Sequence, residues 1–209
     1  MSLQPKIKLV VSDLTTEQLE YYSSRDIIAV DCEMMGLNIH RDRLCLVQIG
    51  DADKVITLVQ IELGQKTAPN LAKLFSASTT VKLFHFARTD VAWLKFWLGI
   101  EVNNIFCTKI ASKLARTYTD KHGLKDLCKE VTGKELNKNQ QSSDWGSFDI
   151  NKDQIQYAAN DVINLIEVYL KLKIMLEREG RMELAIQCSG FVPVLAEMDS
   201  LGYQSILEH

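Results

Sequence analysis

An apolar run that ends in charge is the strongest constraint in this chain. Ile27-Ile28-Ala29-Val30 reads as a buried strand, and Asp31-Cys32-Glu33 continues it without a break. Side chains at i and i+2 on a strand share a face, so Asp31 and Glu33 point the same way. A fold that buries this strand brings two carboxylates to one place.

Two further acidic stretches belong beside it. Asp90 closes Phe84-His85-Phe86-Ala87-Arg88-Thr89-Asp90, and Tyr157 and Asp161 lie in Tyr157-Ala158-Ala159-Asn160-Asp161-Val162. Residues four apart on a helix share a face, which sets Tyr157 one turn before Asp161. Ala158 and Ala159 beside them permit close backbone approach. Four carboxylates on one point repel unless cations neutralise them. Hard divalent ions take oxygen ligands and keep water or phosphate in the remaining positions, which suits a two-metal phosphodiesterase.

The three segments resemble the three motifs of the DEDDy family, the ribonuclease D-like 3′→5′ exonucleases. Within that family, His40-Arg41-Asp42-Arg43-Leu44-Cys45, Lys82-Leu83-Phe84-His85-Phe86-Ala87-Arg88 and Cys107-Thr108-Lys109-Ile110-Ala111-Ser112 resemble the nanoRNase C branch. So do Arg116-Thr117-Tyr118-Thr119-Asp120 and Gln140-Gln141-Ser142-Ser143-Asp144-Trp145. The likeness runs from about Ile27 into the C-terminal helices. An Asp-x-Glu alone occurs by chance in many proteins; order, spacing and flanking text carry the resemblance.

The resemblance implies an α/β fold of the ribonuclease H-like kind, a mixed sheet flanked by helices with the acidic residues at one end. It implies that Asp31 bridges two divalent ions, Mg²⁺ or Mn²⁺, with Glu33, Asp90 and Asp161 completing the ligand set. Such ions lie about 3.5–4 Å apart, one activating water and the other stabilising the leaving 3′ oxygen. Tyr157, a phenol with an ordinary pKa near 10, is a poor base and is read as orienting the attacking water. His85 is expected near substrate and outside the ligand set, imidazole being a poor partner for Mg²⁺. Met34, Met35, Gly36 and Leu37 are expected against the terminal bases, with Gln48 reaching the same region. The polar stretch 134–148 is expected to be a loop, with Lys138 to Trp145 able to cover the site.

Text rich in Val, Ile and Leu predicts strands at Ile27 to Val30, Leu44 to Ile49, Lys54 to Val59, Val81 to Phe86 and Ile105 to Cys107. Gly50-Asp51 and Asp53 predict a hairpin turn. Helices are predicted at Val91 to Leu98, after Thr108 as N-cap, at Leu124 to Val131, and from about Lys152 to Glu179, resuming past Gly180 to Met198. Trp93 and Trp97 are read as core. One domain is expected over 1–209, with a catalytic core at about 25–180 and C-terminal helices at 181–206. About thirty residues follow Gly180, too few for a helicase-and-RNase-D C-terminal (HRDC) module, which argues against tRNA maturation.

Net charge is −3, unlike a protein that grips long nucleic acid by its backbone. Lys109, Lys113, Arg116, Lys121, His122 and Lys125 form either a local basic patch or a solvated helix face. The five cysteines are odd in number and widely spaced, and read as buried thiols of a reducing compartment. No run approaches a membrane span and no signal peptide is legible, so the cytoplasm is the default expectation. Leu207-Glu208-His209 resembles the start of an expression tag.

The leading reading is a metal-dependent 3′→5′ exoribonuclease acting on short RNA, dinucleotides above all, and releasing nucleoside 5′-monophosphates. The alternative is a general single-strand exonuclease acting on longer RNA or DNA 3′ ends. A catalytically dead binding module would be expected to lose carboxylates that are all present here. An unrelated metal hydrolase would act on a nucleotide-free phosphoester. The resemblance further implies a homo-oligomer, an octameric ring, with apolar text at Phe191, Val192, Val194, Leu195 and Met198 available for contact or for core.

Overall fold

Six short segments rich in β-branched and aliphatic residues pair into one mixed sheet in the computed structural model, which describes residues 4–136, 140 and 143–207. They are β1 (Lys6–Val11), β2 (Ile27–Met34), β3 (Leu44–Gly50), β4 (Val55–Gln60), β5 (Val81–Phe84) and β6 (Ile105–Cys107). The order is β1-β4-β3-β2-β5-β6. β2, β3 and β4 form an antiparallel meander, while β1 lies parallel to β4, and β5 and β6 continue parallel to β2.

Among the described residues eight helices cover the sheet: α1 (Thr16–Ser23), α2 (Pro69–Ser76), α3 (Ala87–Leu98), α4 (Thr108–Ala115), α5 (Leu124–Thr132), α6 (Lys152–Arg178), α7 (Met182–Gly190) and α8 (Val192–Ser200). The strand period of two sorts the core into two layers. Ile28, Val30 and Cys32 pack with Leu71, Leu74, Val91, Leu94 and Val192, so α2, α3 and α8 share one layer. Ala29 packs with Leu127, Leu165, Leu172 and Ala185, so α5, α6 and α7 form the other. By the same alternation Asp31 and Glu33 stand on the α6 side.

Long α6 begins with a reciprocal cap. Asn151 Oδ1 accepts from the Gln154 amide at 2.9 Å, and Gln154 Oε1 accepts from the Asn151 amide at 3.0 Å. This fixes the helix start, and with it the turn on which Tyr157 and Asp161 lie. Ala158 and Ala159 are fully buried, as the small residues anticipated.

Several boundaries differ from expectation. β1, α1 and α2 carry no strong sequence signal, and β1 places the start of the sheet upstream of residue 25. β5 stops at Phe84 because Phe86 turns into the left-handed region (φ 68°), and α3 starts at Ala87 instead of Val91. Thr108 does not cap α4: it is the first helical residue, and its hydroxyl donates to Phe84 O at 3.0 Å. The C-terminal text breaks at Phe191 as well as at Gly180, giving α7 and α8. Trp93 is buried and Trp97 half-buried, as read. Four cysteines are buried, Cys188 is half-buried, and all five are free thiols.

Arg116 drops out of the set read as a basic patch or a solvated helix face, whose Lys113, Lys121 and Lys125 are exposed. Its guanidinium is fully buried, pairs with Glu130, and donates to Ser112 Oγ and Lys121 O at 2.9 Å each. A charge buried with a bidentate partner organises the α4–α5 turn and is not available to a polyanion.

α6 crosses β3 at Gly50, where a Cβ would stand 3.0 Å from Val162 Cγ2. Gly50→Ala is therefore expected to lower unfolding free energy by about 1–3 kcal/mol through overpacking, measured by urea denaturation. An unchanged midpoint would show that α6 can shift freely at this crossing.

Candidate active site

The site forms where β2 outruns its parallel neighbour. Pairing with β5 ends at Ala29, and Asp31 and Glu33 lie beyond it, opposite Gln48 and Leu46 of β3. A register shift between Glu33 and Met34 then bends the strand end. Asp161 comes down from α6 onto the same face. Carboxylate oxygens of Asp31, Glu33 and Asp161 all lie within 4.8 Å of one another.

Asp90 arrives from the opposite layer, in the first turn of α3. It lies outside that triad, and its buried carboxylate accepts from the amide and thiol of Cys32. Cys32, read only as a filler thiol, is thus the residue that holds the second acidic motif against β2. Its thiol pKa is raised by burial and by Asp90, Asp31 and Glu33, which keeps it a donor.

Electrostatics marks the cluster as incomplete without cations. Burial first, and then Asp90, Asp161 and Glu33, push the Asp31 carboxyl well above its usual range. Burial pushes Asp90 up to about 8 against the pull of its hydrogen bonds. Oxygen-only donors converging at this spacing suit a hard divalent ion, so the residues fit the metal the sequence implied. Asp31, Glu33 and Asp161 would hold it, with Asp90 beside them.

Tyr157 is buried, and its hydroxyl bonds to Asp161. Burial and the charges of Asp161, Glu33 and Asp31 push its pKa above the ordinary phenol value, so it keeps its proton at neutral pH. Trp145 packs beside it with ring centroids 6.0 Å apart. His85 Nδ1 lies 3.0 Å from Thr108 Oγ1. That hydroxyl gives its one proton to Phe84 O, so Nδ1 carries the hydrogen and Nε2 is directed elsewhere.

The expected substrate contacts divide. Leu37 is 98% exposed at the tip of the turn after β2, with Met35 exposed and Met34 half-buried beneath it. Gly36 serves the turn itself, since a Cβ there would fall 2.3 Å from Asp42 Oδ2, which accepts from the Asn38 amide. Gln48 is fully buried on the central strand β3, and its Nε2 donates to Glu33 Oε1 at 3.4 Å. Of the loop expected over 134–148, within which Lys138 to Trp145 was read as able to cover the site, 137–139, 141 and 142 lie outside the described residues. Residues 143–148 are bound down against the site.

The pattern defining the 3′-5′ exonuclease family matches residues 11–177. Ribonuclease D of Gluconacetobacter diazotrophicus is 33% identical over 173 residues, covering 81% of this chain but only 44% of the relative. NrnC of Brucella melitensis is 46% identical with a TM-score of 0.89, covering 94% of this chain and 95% of that one. The same protein has been solved with bound Mg²⁺ (44% identical, TM-score 0.89, 95% of each chain) and bound to pGG (45% identical, TM-score 0.89, 95% of each chain). Escherichia coli RNase D, at 20% identity and a TM-score of 0.78 over 92% of this chain and 50% of that one, shares the ribonuclease H-like fold. Among the described residues no helix is long and apolar enough to cross a membrane.

Asp31 and Asp90 bind protons more tightly folded than unfolded, where a carboxyl titrates near 4. Their contribution to stability is therefore complete below about pH 4 and is lost as pH rises towards about 8 in metal-free protein. Saturating Mg²⁺ is expected to raise Tm more at pH 8 than at pH 5, read by scanning calorimetry. An equal shift at both would contradict this electrostatic account.

Proposed function

Because this chain belongs to the 3′-5′ exonuclease family, we propose that it hydrolyses short RNA from the 3′ end, dinucleotides above all, releasing nucleoside 5′-monophosphates. The observation that carries this is the convergence of Asp31, Glu33 and Asp161 within 4.8 Å, with the Tyr157 hydroxyl on Asp161. The chain spans less than half of the ribonuclease D it matches, whereas it aligns with NrnC over nearly the full length of both. The pGG-bound NrnC supports the dinucleotide reading, and the exposed side chain of Leu37 is open to contact with a terminal base.

Two divalent ions, Mg²⁺ or Mn²⁺, would supply Lewis-acid neutralisation of the scissile phosphate and lower the pKa of the attacking water. Asp31, Glu33 and Asp161 would hold that charge, with Asp90 as a fourth carboxylate from the far layer. Tyr157, still protonated, orients water through its hydroxyl and does not abstract a proton. Gln48 fixes the Glu33 carboxylate from below. His85, aligned by Thr108, would lie near the substrate and outside the ligand set. A fixed array acting on one phosphate gains chiefly by positioning and charge complementarity.

A homo-oligomer, an octameric ring, completes the proposal. Exposed Leu184, Ile186, Phe191 and Val194 on and between α7 and α8 support it. Light scattering giving a monomer mass would remove that part alone. Residues 1–209 are read as one exonuclease domain acting in the cytoplasm.

The test is a time course on 5′-labelled RNAs of two, three, five and twenty nucleotides, with matched DNA, for wild type and Asp31→Asn. Rapid cleavage of the dinucleotide alone, reduced by about 10³-fold or more in the variant, is expected. Equal degradation of all lengths would establish the general exonuclease instead.

A further inference from the structure

A polar segment carries one fully enclosed aromatic at the edge of the site. Residues 143–148 read Ser-Asp-Trp-Gly-Ser-Phe, yet Trp145 is only 2% exposed and lies against Tyr157, the two ring planes inclined at 41°. An exposed loop has no intrinsic reason to bury an indole there.

Three side chains from three different elements hold the segment by its backbone. Arg43, just before β3, donates to Gly146 O at 2.7 Å and to Ile61 O at 2.9 Å. Gln60, closing β4, donates to Ser147 O at 3.1 Å and Phe148 O at 2.9 Å. Gln154, in the first turn of α6, donates to Asp144 O at 3.1 Å and Ser143 Oγ at 3.2 Å. Gln60 and Gln154 are themselves buried, so these bonds are shielded from water.

The same fasteners reach the catalytic elements. Arg43 O accepts from the amide of Met35, two residues beyond Glu33, at 3.1 Å. A Cβ on Gly146 would meet Met35 Sδ at 2.8 Å, so the segment lies tightly on the exit of β2. Gln154 stands three residues before Tyr157 on α6. One short segment therefore ties the strand bearing Asp31 and Glu33 to the helix bearing Tyr157 and Asp161.

We propose that residues 143–148 form a brace in which Trp145 positions the Tyr157 ring and Arg43 fastens the segment to the β2 exit. This rests on the reading of Tyr157 as the residue that orients water. The brace would act on the orientation of the phenol, and so on the chemical step more than on substrate affinity. Trp145 and Arg43 are positioning residues in this account, touching neither substrate nor ions.

A double-mutant cycle on dinucleotide hydrolysis in Mn²⁺ tests it, with Trp145→Ala, Arg43→Met, Tyr157→Phe and the paired variants. Trp145→Ala is expected to lower kcat by about 10-fold or more with KM within about two-fold, and Trp145→Phe to recover part of the loss. In the Tyr157→Phe background Trp145→Ala should add less than about two-fold, because the hydroxyl whose orientation the ring sets is gone. Mn²⁺ affinity by calorimetry should stay within about two-fold of wild type in Trp145→Ala, separating the brace from ligand geometry. If Trp145→Ala does not fold by circular dichroism, Arg43→Met carries the same cycle.

The brace is overturned by equal losses in both backgrounds, by a rise in KM at constant kcat, or by weakened Mn²⁺ binding. Each of these leaves the role of Tyr157 intact. A Tyr157→Phe enzyme as active as wild type would overturn the water-orienting reading, and the brace with it.

Discussion

Mutual repulsion among buried carboxylates at the end of β2 is the constraint on which the rest of the structure depends. Asp31 is surrounded by Asp90, Asp161 and Glu33, and its carboxyl is pushed up first by burial and then by those neighbouring charges, held together without counter-ions. Only a rigid frame keeps such groups convergent. The frame here is a central strand enclosed by two helical layers, with α6 seated on Gly50 and on its own Ala158-Ala159. The same repulsion that makes the apo site unfavourable is what gives it affinity for hard cations.

Supports around the cluster come from both layers and from distant parts of the chain. Cys32 holds Asp90 from within β2, Gln48 holds Glu33 from β3, and Thr108 sets the His85 ring from the start of α4. None of these side chains is a site carboxylate, yet each fixes the orientation of a residue in an acidic motif. The brace from Ser143 to Phe148 extends this to Tyr157. Family membership accounts for the motifs, while these second contacts account for how rigidly this chain presents them.

Much of the site was legible because its logic is local. Asp31 and Glu33 two apart, and Tyr157 and Asp161 four apart, share faces by backbone period alone, and the resemblance carried their roles. The central strands and α6 were equally plain from long aliphatic runs and from Gly180. β1, α1 and α2 were not, since Lys6–Val11 alternates weakly and is mostly exposed, so its strand form comes from pairing with β4. Thr108 was misjudged as a cap because a threonine before a helical pattern usually is one. Its hydroxyl here satisfies Phe84 O across the sheet end.

By itself the sequence determined that this chain buries strands ending in paired carboxylates, carries a tyrosine one turn before another, and groups with the ribonuclease D-like exonucleases. These follow from periodicities of two and about four and from motif text, which need no knowledge of distant contacts. Tertiary structure alone decided that Gln48 is sealed beneath Glu33, that Asp90 is held by Cys32 from the opposite layer, and that Arg116 is buried. It alone decided that Arg43 reaches Gly146 across 103 residues of chain. The physical reason is one of range. A backbone period determines which way a side chain points, but only the packed sheet and helices determine what it meets there.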